Sequence, residues 1–147
     1  MNKAQLIAHI CTVVEDKIKL LQERFDDLTS DLVSDHKSSA GDKHETGRAM
    51  TQLEQEKLAG QMADFARQKE TISQLSLEVK SSVQLGSLVT TSKGMFFISI
   101  GLGKVQISDE QIFCISISSP IGQVLQHKKV GESTFFNGDT IEILGLC

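Results

Sequence analysis

The chain has 147 residues, a formal net charge of −4 and an isoelectric point near 5.5. An acidic balance gives no broad attraction to nucleic acid, so independent DNA binding is not expected. No apolar run approaches the roughly 18 residues that a membrane span needs. The N-terminus lacks a small-residue cleavage site, so a cytoplasmic location is expected.

Composition changes near Leu85. Residues 1–84 hold 25 of the 34 charged residues and three glycines, whereas 85–147 hold eight glycines and the single proline. The contrast predicts long helices followed by short strands and turns. The expected fold is α+β. An antiparallel coiled-coil helical hairpin covers 1–82, with its tip near 36–45, and a small β-rich domain with one short helix covers 83–147.

In the first helix, Ile7, Cys11, Val14, Ile18, Leu21, Phe25, Leu28 and Leu32 follow alternating steps of four and three. That is an apolar heptad seam, with Lys, Glu, Asp and Gln filling most positions between. The second helix carries a looser stripe of Met50, Leu53, Leu58, Met62, Phe65, Ile72, Leu75 and Val79. A short polar link between matching stripes predicts that the helices fold back on each other. A parallel homodimeric coiled coil through the first seam is the competing arrangement.

The link is "SSAGDKHETGRAM", Ser38 to Met50. Asp42 with Glu45 three residues on has the spacing of a capping box, which would start the second helix whatever the function. His36 and His44, with Asp35 and Asp42, could bridge a zinc or manganese ion, but no H-x₃-H spacing or cysteine partner supports it. No intrinsic metal site or cofactor is expected. Lys37, Lys43 and Arg48 either contact a partner or balance the tip carboxylates.

Strand alternation marks "GSLVTT", "MFFISIG", "KVQIS" and "QIFCISIS". "SSPIGQVLQHKKVG" reads as a short helix with Ser119 at its N-cap, Pro120 at the first helical position and Gly131 past its end. Ile121, Val124 and Leu125 should face the sheet. Asn137-Gly138 predicts a hairpin turn into a last strand. Phe96-Phe97 and Phe135-Phe136 put one ring on each face of a strand, so one of each pair could be exposed or cover the hairpin base. Cys11 and Cys114 fall on apolar stripes, and three separated cysteines make no disulfide framework. "GLGK", Gly101 to Lys104, lacks the Ser/Thr and helix of a phosphate loop and reads as a strand turn.

The run Ser119, Pro120, Ile121, Gly122, Leu125, Lys128 or Lys129, Val130, Gly131, Glu132 resembles a signature in the C-terminal domain of the bacterial Gre transcript-cleavage factors. The tip is similar as well: Gly41, Asp42 and Glu45 match the family's Gly-Asp-x-x-Glu-Asn. The resemblance implies an FKBP-like fold for the C-terminal domain, without prolyl isomerase activity, docking on RNA polymerase through Ser119, Pro120, Ile121, Gly122, Lys128 and Lys129. It also implies that the hairpin enters the polymerase's secondary channel. There Asp42 and Glu45 would help hold the polymerase's second magnesium and activate water to cut backtracked RNA. Beside them Lys37, Lys43 and Arg48 either touch the RNA backbone or polymerase acids, or only balance the tip carboxylates. Such a factor has no catalytic centre of its own and shares Mg²⁺ with the polymerase.

The chain departs from the family at Thr46, Gly47, Arg48 and Ala49, where Asn, Ala, an acid and an aromatic are usual. A positive Arg48 beside two carboxylates weakens their pull on magnesium. A channel-binding modulator or inhibitor without cleavage activity is therefore the alternative. An unrelated coiled-coil scaffold is the rival from another class. The Gre-like reading expects a monomer, and the scaffold a dimer.

Overall fold

A computed structural model describes residues 2–35 and 43–147, with backbone only at 34, 35 and 43–45. The chain divides into two compact units, Thr12–Lys69 and the combination of Met1–Cys11 with Glu70–Cys147.

Helix α1 runs Lys3–Asp35 and helix α2 runs Lys43–Ser73. The Asn2 side chain accepts the Ala4 amide at 2.9 Å, satisfying one of the open N–H groups at the start of α1. Within Thr12–Lys69 the two helices are antiparallel, because rising positions on α1 meet falling positions on α2. Glu15 pairs with Lys69 at 3.1 Å, the Lys17 ammonium lies 5.8 Å from the Phe65 ring centroid, and Arg24 pairs with Glu54 at 3.7 Å.

The α1 seam is as expected in this unit. Val14 is fully buried, and Ile18, Leu21, Phe25, Leu28 and Leu32 are partly buried. The α2 seam differs. Thr51, Gln55, Leu58, Met62 and Phe65 turn inward, while Met50 and Leu53 are 67% and 64% exposed. The expected stripe contained a step of five between Leu53 and Leu58, about 500° of rotation, which no straight helix can keep on one face. Because α2 is unbroken, Leu58, Met62 and Phe65 set the phase, and polar Thr51 and Gln55 share it. Val79 lies beyond the end of α2 and is exposed, so within the helix the expected stripe stops at buried Ile72.

The other unit is built on one six-stranded mixed sheet. Its strands are β1 (Leu88–Thr91), β2 (Gly94–Ile98), β3 (Gly103–Ile107), β4 (Glu110–Ile115), β5 (Ser133–Phe136) and β6 (Asp139–Leu146), with helix α3 (Pro120–Leu125) between β4 and β5. The order is β3-β4-β2-β1-β6-β5. Only the β2–β4 pair is parallel, because β3 sits outside it as an edge strand. Asn137 and Gly138, with φ of 50° and 83°, form the turn between β5 and β6, as their sequence predicts.

Val83, Val89, Phe96, Ile98, Leu125, Ile141 and Ile143 form one core cluster, with Ile121 and Phe136 packed against it. Phe97 pairs with Cys114 and Val105 with Ile112 across neighbouring strands, and all four are buried on the opposite face. Neither ring of Phe96-Phe97 is therefore exposed, because both faces of the central strands are covered. Leu6, Ile10 and Ile72, from the helix ends in this unit, are buried too. Phe135 is 65% exposed on edge strand β5.

Lys3 is also buried here. Its ammonium donates to the carbonyls of Glu78 at 3.0 Å and Ser76 at 3.5 Å, which tie the first turn of α1 to the segment after α2. Burial lowers its pKa, with Cys147 acting in the opposite direction. No described helix is long and apolar enough to cross a membrane.

Candidate functional site

The segment Ser116–Glu132 folds as a compact loop-helix-turn. Ser119 has extended backbone (φ −65°, ψ 156°), and its hydroxyl works in two directions. It accepts the Gly122 amide at 3.1 Å and donates to the Ser116 carbonyl at 2.7 Å. Pro120 follows at the first helical position, where the missing N–H costs nothing. Gly122 is buried beneath this cap. A Cβ at that position would lie 2.2 Å from the Ser116 carbonyl oxygen and 3.0 Å from that of Ile117.

Helix α3 is shorter than the sequence suggested. It ends at Leu125, with Gln126 as its C-cap, and His127 takes φ 69° to turn the chain away. The turned segment is held by the chain before the sheet: His127 N–H donates to Val83 O and Val83 N–H to Lys128 O, both at 2.8 Å. Gly131, at φ 90°, belongs to the next turn and donates to the Ile143 carbonyl at 2.9 Å. The Glu132 carboxylate accepts the Lys129 amide at 3.2 Å, and its backbone carbonyl accepts the Ile143 amide at 2.9 Å.

This geometry sorts the docking residues expected from the sequence. Ser119 and Gly122 build the cap, and Ile121 packs on the core cluster. Pro120 and Lys129 are exposed and Lys128 is partly buried. Val130, 55% exposed, adds an apolar side chain beside the two lysines in the chain. Leu125 is fully buried and Val124 partly buried, as their spacing predicted.

At the tip, Lys37 and Asp42 lie outside the described residues, as do His36 and the side chains of Asp35, Lys43, His44 and Glu45. The acidic pair and the histidine metal alternative fall there. Of the expected tip contacts, Arg48 is described. It is partly buried, in phase with Thr51 and Gln55. Thr46 and Gly47 are exposed, and a Cβ on Gly47 would meet open space. Among the described residues no group of three or more His, Cys, Asp or Glu is placed to hold a metal ion.

Three features had little sequence signal. Val83, which clasps the signature through its backbone, is an isolated apolar residue without periodicity. Leu6 and Ile10 lie beside the seam positions and look redundant until the first turns of α1 are placed with the sheet. Gln55 reads as surface, yet its amide donates to Thr29 Oγ1 at 2.8 Å and to the Phe25 carbonyl at 3.3 Å.

No protein-family model matches the chain. No curated protein matches it either. Among solved structures, it is similar to the crystal structure of GreA factor homolog 1 (Gfh1) of Thermus thermophilus, at 17% identity and a TM-score of 0.38, covering 93% of this chain and 94% of that one. It is also similar to Gfh1 of Thermus aquaticus, at 17% identity and a TM-score of 0.33, covering 92% of each chain. At this identity and these TM-scores, the likeness adds nothing to what the residues and strand order already say.

Proposed function

We propose that this chain is a Gre-like transcription factor. It binds RNA polymerase through the exposed part of the Ser119–Glu132 segment and inserts its helical hairpin into the secondary channel. There it stimulates cleavage of backtracked RNA by the polymerase's own active site. The observation that carries this reading is the signature run itself, matched in order and spacing from Ser119 to Glu132. Its Ser, Pro and Gly build a cap, and its Lys128, Lys129 and Val130 are left available to a partner. Asp42 and Glu45 are the acidic pair offered to the polymerase's magnesium. A two-metal phosphodiester site gains from hard oxygen ligands beside the attacking water. The factor has no catalytic centre of its own, and its partner is the polymerase, with nascent RNA touched only at the tip.

A second reading rests on Thr46, Gly47 and Arg48: a channel-binding modulator without cleavage activity. The coiled-coil scaffold has less support, because α2 of the same chain already covers the α1 seam between Val14 and Leu32.

The test uses cognate RNA polymerase stalled in a backtracked complex with end-labelled RNA and magnesium. RNA shortening with wild type, but not with Asp42→Ala/Glu45→Ala, is the expected result. No shortening, with both proteins still competing against a channel-binding factor, selects the modulator. Absence of any binding overturns both readings.

A further inference from the structure

We propose that Gln55 is a positioning residue: with Thr29 and the Phe25 carbonyl it holds α1 and α2 in one register against a second that the same sequence offers. The two registers are visible in the spacing of α2. Thr51, Gln55, Leu58, Met62 and Phe65 form the observed inward face, in steps of four and three. Thr46, Met50, Leu53, Lys57 and Gly60 form another face with the same steps, two residues out of phase. Opposite them, α1 presents Phe25, Leu28 and Leu32, all partly buried. The more apolar pair, Met50 and Leu53, is the one left outside.

Apolar packing alone does not favour the observed choice over this stretch. Two features do. The unbroken α2 keeps Thr51 and Gln55 in phase with Leu58, Met62 and Phe65. The second is a closed hydrogen-bond set in which Gln55 donates to Thr29 Oγ1 and Phe25 O, while Thr29 Oγ1 itself donates to Phe25 O at 3.1 Å. A polar side chain at a seam position specifies register in this way, because a shifted partner cannot satisfy it. The functional half of the test rests on the reading above.

The chain has four methionines, Met1, Met50, Met62 and Met95, so methyl-labelled methionine gives a sparse spectrum. A soluble nitroxide should broaden the Met50 methyl signal of the wild type far more than that of Met62. Gln55→Glu, which cannot donate, and Thr29→Val, which keeps the shape, should each shift the register ratio by about tenfold toward Met50 inward. Met50 then becomes protected, while Thr29→Ser behaves as wild type. Competition for the polymerase channel should fall in the same two variants. It should be restored when Met50→Gln and Leu53→Gln remove the competing face. Unchanged Met50 accessibility in both Gln55→Glu and Thr29→Val overturns the proposal, whatever the polymerase assay shows. If wild type fails to bind polymerase, the functional reading falls and the methyl result alone decides the role of Gln55.

Discussion

A Cβ on Gly122 would sit 2.2 Å from the backbone carbonyl oxygen of Ser116, closer than any real side chain approaches a main-chain atom. Gly122 is therefore fixed by the cap that Ser119 builds above it. The Gly122→Ala variant should lose about 3 kcal/mol, by displacing that cap or by losing the Ser119 bond. Gly60→Ala should act oppositely, gaining about 1 kcal/mol, since its Cβ meets nothing and alanine suits a helix interior. Urea midpoints measured at constant slope would check both signs.

The surface left to a partner can be separated from the cap by mutation. Lys128→Ala/Lys129→Ala should leave thermal stability within about 0.5 kcal/mol of wild type. On the proposed function, the same variant should weaken competition for the polymerase channel, with a reduced salt dependence. Equal competition by wild type and variant would remove the two lysines from the docking surface.

The arm seam gives a contrast between side chains of similar size. Leu58 is 2% exposed and Leu53 64%. Leu58→Ala should cost about 2–4 kcal/mol, whereas Leu53→Ala should stay within about 0.5 kcal/mol. Helicity loss followed in denaturant would reveal a wrong seam if the two costs were reversed.

Burial pushes the Cys114 thiol up to about 11 from an ordinary 9.0, with the Ser99 hydroxyl opposing. The folded thiol thus keeps its proton where the unfolded one loses it. Stability attributable to this group is fully present below pH 9 and is lost as pH rises toward 11. Lys3 works the other way, since burial lowers its pKa and the folded state sheds its proton first. Replacing Cys114 with alanine should flatten the alkaline fall in urea midpoint, even though the variant starts from a lower stability. An unaltered fall would assign it to other groups.

How much could be read without a structure follows from the range of each interaction. The heptad seam of α1, the strands, the Ser119 cap and the Asn137-Gly138 turn depend on residues a few positions apart, and the sequence alone determined them. The short end of α3 was not visible, because His127 turns there to bond Val83, more than forty positions earlier. Nor was the burial of both Phe96 and Phe97, since an alternating strand does not say how many of its faces are covered.

The α2 seam shows the division most clearly. Two faces of equal spacing lie two residues apart, and hydrophobicity favours Met50 and Leu53. Only the tertiary structure decided for Thr51 and Gln55, because helix phase is inherited from Leu58, Met62 and Phe65, and the partners of Gln55 are the Thr29 hydroxyl and the Phe25 carbonyl on the other helix. A side chain's periodicity belongs to its own segment, whereas its register belongs to the segment it meets.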